Sequence, residues 1–176
     1  TVLLADGFEE IEALTVVDLL RRAKVYVDTV SITDDYTVRG AHGIPVQTED
    51  LITEIDFKES DMIVLPGGMP GTTNLKEDEN VRKAVQEAYD DGRYVAAICA
   101  APTILADMGL LKGKRATCYP DMESEIEDAY LTGAPVATDE NIITSQGVGT
   151  AIDFALKLIE VLISEEKAVE IADSIV

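Results

Sequence analysis

Short continuous apolar runs alternate along this chain with stretches whose apolar positions recur every three or four residues, which predicts strands alternating with helices. Residues 1–5 read as a buried strand ended by Asp6-Gly7. Residues 9–23 read as a helix, with Ile11, Leu14, Val17, Leu19 and Leu20 at helical spacing. Arg21, Arg22 and Lys24 close it, where the negative end of the helix dipole favours cations. Residues 25–32 form a second strand, and 36–38 with 44–46 a hairpin around Arg39-Gly40-Ala41-His42-Gly43. The strand at 61–65 runs into the turn Pro66-Gly67-Gly68-Met69-Pro70-Gly71. Val81, Val85 and Ala88 mark a helix ending near Asp91-Gly92, before a central strand at 94–98. Beyond it come a strand at 115–118, a short acidic helix at 123–129, and two short strands, 135–137 and 141–144, about Asp139-Glu140. The loop 145–150 opens a long helix, 151–163, and a last helix covers 165–175.

The strands are apolar throughout rather than at every second residue, which predicts a parallel sheet covered by helices on both faces. This is an α/β protein, read as one domain over 1–176, with no repeat, linker or low-complexity tract. Ligands of such sheets bind beyond the carboxyl ends of the strands. The turns at 7–12, 66–71 and 99–102 fall there, joined by Tyr119-Pro120 and the loop 146–150.

The central strand stops abruptly at Cys99. Ala100, Ala101 and Pro102 follow, then Ile104, Leu105 and Met108 at helical spacing. Proline belongs in the first turn of a helix, so Cys99 falls on a sharp strand-to-helix turn resembling a nucleophile elbow. Free N–H groups and the helix dipole there favour a thiolate. An inert buried thiol is the alternative, since free cysteine is among the most buried residue types. Gly67-Gly68 can present N–H groups to an anion, and with the amide of Ala100 that of Gly68 would form an oxyanion hole; a plain loop explains the same residues. Glu9 and Glu10 are accounted for by the dipole at a helix start. Glu12, next to Ile11 and four before Val16, faces partly inward. A carboxyl buried beside a cysteine has its pKa raised by desolvation and by the thiolate. Protonated, it donates a hydrogen bond to sulfur; ionised, it serves as a base.

Composition narrows the chemistry. A formal net charge of -20 argues against nucleic acid and anionic membranes as partners. Hydrophobic content of 47% in 176 residues suffices for a core, and no run is long enough to span a bilayer. No basic-then-apolar leader opens the chain, and an initiator methionine is expected shortly before Thr1. Two cysteines make no disulfide framework, which fits a cytoplasmic location. His42 is the single histidine, so Cys99, Cys118 and His42 fall short of a tetrahedral zinc site, and neither metal nor cofactor is expected.

The stretches Ala5-Asp6-Gly7-Phe8-Glu9-Glu10-Ile11-Glu12, Leu65-Pro66-Gly67-Gly68, Ala97-Ile98-Cys99-Ala100-Ala101-Pro102 and Thr144-Ser145-Gln146-Gly147-Val148-Gly149-Thr150 resemble the ThiJ/PfpI superfamily, within it the branch of the Parkinsonism-associated deglycase and its bacterial relatives. The resemblance implies a flavodoxin-like three-layer sandwich, a homodimer, Cys99 as nucleophile, Glu12 as its carboxyl partner, and Gly68 and Ala100 as oxyanion amides. Relatives often carry histidine where Tyr119 stands here. Tyrosine can donate a hydrogen bond but is a poor base near neutral pH. The protease-like branch has histidine directly after the cysteine, the place of Ala100, so a proteolytic dyad is not expected. The resemblance brings the hairpin near a partner subunit, so His42 either borders that site or is an exposed loop histidine. Cys118 reads as a strand-packing thiol.

Three functions compete on this basis. In the first, a cysteine-dependent glyoxalase or deglycase acts on methylglyoxal-like α-dicarbonyls or their early adducts through a hemithioacetal on Cys99. In the second, Cys99 is a redox sensor of a stress-protective chaperone and oxidises to sulfinate without turnover. A protease, amidase or thiamine-pathway role ranks last, because no phosphate-binding lysine motif or amidase histidine is present.

Overall fold

The computed structural model describes residues 1–176. In chain order its strands are β1 (Val2–Leu4), β2 (Thr29–Ser31), β3 (Thr37–Arg39), β4 (Pro45–Gln47), β5 (Asp50–Leu51), β6 (Met62–Leu65), β7 (Tyr94–Ile98), β8 (Arg115–Ala116), β9 (Tyr130–Leu131), β10 (Val136–Asp139) and β11 (Ile142–Ser145). Its helices are α1 (Glu10–Arg22), α2 (Gly71–Glu77), α3 (Glu79–Asp90), α4 (Pro102–Asp107), α5 (Ala151–Leu162) and α6 (Glu165–Ser174).

Seven strands form one sheet in the order β10-β11-β7-β6-β1-β2-β5. All neighbours pair in parallel except the edge pair β10 and β11. Successive side chains of a strand point to opposite faces, and here both faces are buried. Val2, Leu4, Met62, Val64, Ala96, Ile98 and Ile143 join the core with α1, α5 and α6. Leu3, Ala5, Ile63, Leu65, Val95, Ala97 and Ile142 join the core with α3 and α4. That is the three-layer, flavodoxin-like arrangement expected.

Register positions the site. Leu65 pairs with Ala97, and Ile98 with Ser145, so β6, β7 and β11 end level. The loops at Pro66, Cys99 and Gln146 therefore leave the sheet side by side.

The structure corrects several local expectations. The acidic segment at 123–129 is not an α-helix: a 3-10 helix covers Pro120–Glu125, and Tyr130 then enters β9 beside β8. A helix absent from the sequence reading, α2, follows the Pro66 turn. Two more small strands, β5 and β9, were also not expected. The strand at 25–32 is confined to Thr29–Ser31, and the hairpin pairs Thr37–Arg39 with Pro45–Gln47, one residue later than read. No helix is long and apolar enough to cross a membrane.

Candidate active site

Cys99 is the first residue after β7 and adopts φ +66°, a conformation that costs a non-glycine residue about 1–3 kcal/mol and persists only where its surroundings impose it. Here two backbone bonds impose it: the Cys99 N–H donates to the Ser145 carbonyl at 3.0 Å, and the Tyr119 N–H donates to the Cys99 carbonyl at 2.7 Å. Pro102 occupies the first turn of α4, as the sequence predicts. The elbow is held by the backbone at Tyr119 and Ser145, in and next to the two segments that the sequence places among the same turns.

Glu12 lies on the inward face of α1 and is 0% exposed. The Gly67 N–H donates to its Oε2 at 2.9 Å, while Oε1 has no hydrogen-bond partner, and the Cys99 thiol lies beside the carboxyl. Glu9 caps the helix by accepting the Glu12 N–H on its Oε2 at 2.8 Å, which fixes the first turn of α1. A Cβ at Gly67 would fall 2.6 Å from Cys99 Cβ and 2.7 Å from Glu12 Oε2, so only glycine lets the loop pass between them. Gly68 has φ +91° and turns its amide, like that of Ala100, onto the Cys99 sulfur.

Burial pushes the Glu12 carboxyl up to about 7, against the lowering effect of the neighbouring Cys99 thiol and of the Gly67 N–H. Burial and the Glu12 carboxylate push the Cys99 thiol up to about 12, against the pull of the Ala100 and Gly68 amides. Burial and the Glu12 charge thus oppose the thiolate that the start of α4 is expected to favour. α4 is short, and while Glu12 is ionised its charge holds the proton on sulfur. Proton transfer to Glu12 removes that repulsion and leaves a carboxylic O–H facing a thiolate. The two groups share one negative charge between them.

Tyr119 is 45% exposed, and its ring flanks the same space: an ideal Cβ on Gly147 would lie 3.6 Å from Tyr119 Cδ2 and 3.8 Å from both Cys99 Sγ and Glu12 Oε1. Gly147 thus backs the pair directly. Its loop is fixed by Thr150, whose hydroxyl accepts the Gly147 N–H at 3.1 Å and meets Ser145 Oγ at 2.7 Å. The sequence reading singled out the 145–150 loop but missed these two hydroxyls.

His42 does not join the cluster around Cys99. Its Nδ1 is 2.7 Å from Glu10 Oε2, and its N–H donates to Glu10 Oε1 at 2.8 Å, which pins the hairpin to the start of α1. A cation-binding grouping of Glu9, Glu10 and His42 would have to displace that bond. Cys118 is fully buried, its thiol pushed up to about 11 by burial and directed at the Tyr119 carbonyl.

The sequence matches the DJ-1/PfpI family over residues 1–161. Protein DJ-1 homolog B of Arabidopsis thaliana is 39% identical over 98% of this chain, which spans only 40% of that longer relative. Glutathione-independent glyoxalase DJ-1 of Schizosaccharomyces pombe is 33% identical, over 93% of this chain and 91% of its own. Among solved structures, oxidized Toxoplasma gondii DJ-1 superposes with a TM-score of 0.92 at 37% identity, covering 98% of this chain and 95% of that one.

Proposed function

The chain belongs to the DJ-1/PfpI family, and we propose that within it the protein is a cysteine-dependent, glutathione-independent glyoxalase or deglycase acting on methylglyoxal-like α-dicarbonyls or their early adducts. The observation that carries this reading is the fully buried Glu12, whose carboxyl lies beside the Cys99 thiol with Oε1 unpartnered while two amides address the same sulfur. The site contains a nucleophile, one proton carrier and donors for a developing oxyanion.

Glu12 takes the thiol proton as sulfur bonds to the aldehyde carbon of the dicarbonyl. The aldehyde oxygen gains the electron pair of the broken π-bond and rests on the Gly68 and Ala100 amides until it receives the proton. Glu12, again a carboxylate, removes the hydrogen of the former aldehyde carbon as a proton. The electron pair of that C–H bond forms a double bond to the adjacent carbon, whose ketone π-bond opens onto its oxygen, and that oxygen is protonated to give an enediol. Glu12 then delivers a proton to the adjacent carbon while the hydroxyl of the first carbon loses its own proton and becomes a carbonyl. The hemithioacetal becomes a thioester of a 2-hydroxy acid. Water cleaves the thioester, releasing the hydroxy acid and returning the thiol. Net, one water is consumed and no external oxidant is needed.

Lactate formation from methylglyoxal by the purified protein tests this, beside Cys99→Ser and Glu12→Gln. The reading requires catalytic lactate from the native protein, its loss with Cys99→Ser, and a drop of about 10²–10⁴-fold with Glu12→Gln. A second reading is favoured by the relative solved in oxidized form: Cys99 takes up two oxygens to become sulfinate, stabilised by protonated Glu12. Absence of lactate, with peroxide adding two oxygens at Cys99, would select it.

The homodimer belongs to the same proposal. Ile11 and Leu14 on α1, Ile44 in the hairpin, Val148 in the 3-10 turn before α5 and Ile152 in its first turn are 38–52% exposed. A second copy placed over them would cover them and bring its own residues, His42 included, toward the neighbouring Cys99.

A further inference from the structure

A groove of about 440 Å³ reaches Ala100, the residue after Cys99, and is lined by neither Cys99 nor Glu12. Its inner end is Ala100, whose amide faces Cys99, and Met69, the residue after Gly68. From there it runs between α2 and α4, roofed by Met122 of the 3-10 helix, to an ion cluster at its outer end. Asp107 sits at the centre of that cluster, 2.7 Å from Arg82 Nη1 and 3.2 Å from Lys76 Nζ. The volume far exceeds what a three-carbon dicarbonyl fills.

Two features decide what fits. The first is direction. On the Gly147 side of the sulfur a single added carbon already makes van der Waals contact with Cys99 Sγ and Glu12 Oε1. The long arm of a substrate held on the Gly68 and Ala100 amides therefore has its room along the groove. Asp107 stands at the far end of α4, about 10 Å from Ala100 at helical rise, within reach of a six-carbon chain and beyond a three-carbon one. The second is charge. The groove carries Lys76 and Arg82 against Glu77, Asp107 and Glu125, and both cations are already engaged by Asp107. No unpaired cation remains to draw a phosphate or carboxylate, but the lining offers both donors and acceptors, which suits neutral hydroxyls.

We propose that this groove is a substrate subsite that selects α-oxoaldehydes with a neutral polyhydroxylated tail, the class formed when hexoses break down, over methylglyoxal. It rests on the dicarbonyl reading of Cys99 and adds the substrate class. The tail hydroxyls lie against Asp107, Arg82 and Lys76 while the aldehyde carbon reaches the sulfur.

The probes are methylglyoxal and the six-carbon 3-deoxyglucosone. In turnover, the native protein should show a kcat/KM at least tenfold higher for the six-carbon compound, through KM. The ratio of the two kcat/KM values should fall about tenfold in Asp107→Asn, as expected for losing hydrogen bonds to a charged group, and likewise in Met122→Trp, which fills the groove without touching the ion cluster. Calorimetric titration of Cys99→Ser, which cannot turn over, separates the two ideas. Binding of 3-deoxyglucosone but not methylglyoxal, lost when Asp107→Asn is added, supports the subsite even if the native protein makes no hydroxy acid, a result that would sink only the dicarbonyl enzyme. No preference for the longer compound in binding or turnover, or a ratio unmoved in both groove variants, overturns the subsite.

Discussion

Glu12 is the residue on which the account turns, and its position is costly. An ionised carboxyl with no solvent exposure has a folded-state pKa raised from 4.5 to about 7. The sign follows from linkage: a raised pKa means the folded state binds the proton more tightly, so this stability is fully present below pH 4.5 and is lost as pH rises through about 7. The loss is on the order of a few kcal/mol. Glu12→Gln removes it, so urea denaturation should find the variant more stable than the native protein at pH 8 and nearly equal to it at pH 4. The same substitution deletes the charge that holds the proton on Cys99. The pH midpoint of Cys99 alkylation should therefore lie lower in Glu12→Gln than in the native protein. An unchanged or higher midpoint would mean that Glu12 does not govern the thiol.

At the scale of elements, the carboxyl ends of β1, β6, β7 and β11 do most of the positioning, and they were legible from sequence because β1, β6 and β7 are uninterrupted apolar runs and β11 opens on Ile142-Ile143 just before the glycine-rich loop at 147–149. The misses have physical causes. α2 carries one buried apolar side chain, Leu75, among Gly71, two threonines and Asn74, too sparse for a 3.6-residue pattern to register. The acidic segment after Tyr119 fully buries only Ile126, with Met122 and Ala129 packed partly against the core, so it forms a short 3-10 turn instead of burying a helical face. Cys99, Glu12, Gly68 and Ala100 could be picked out because each stands at a strand end or an inward helix position. The bond from the Cys99 N–H to the Ser145 carbonyl could not, since it depends on the register of β7 against β11. The hairpin bearing His42 is fastened to α1 by Glu10. Burial pushes Glu10 up, yet the hydrogen bonds from His42 and from backbone amides hold it below its usual value, and that partnership raises His42. His42 is the single histidine, so its NMR titration is one curve. Its midpoint should lie above 6.5 and fall toward that value in Glu10→Gln. A native midpoint at or below 6.5 would show that the hairpin is not pinned in this way.

For the molecule as a whole, a net charge of -20 and exposed apolar side chains pull in opposite directions. Like charges oppose association over a screening length of about 10 Å at 0.1 M salt, whereas burial of Ile11, Leu14, Ile44 and Ile152 favours it. Sedimentation should find a dimer that tightens with added salt and dissociates in Leu14→Glu or Ile152→Glu; a monomer at all salt concentrations would remove the partner from the account. The charge also leaves the cationic Lys76 and Arg82 conspicuous beside the active site, where Asp107 gathers them at the end of the groove. The central claim remains that Cys99 holds the substrate while Glu12 carries a proton between adjacent carbons. Its most direct test is turnover of methylglyoxal in heavy water, with the product read by NMR. Transfer through the exchangeable Glu12 carboxyl predicts lactate carrying deuterium at C2. Lactate with only ordinary hydrogen at C2 would mean a hydride passed directly from carbon to carbon, and no lactate at all would contradict the enzyme.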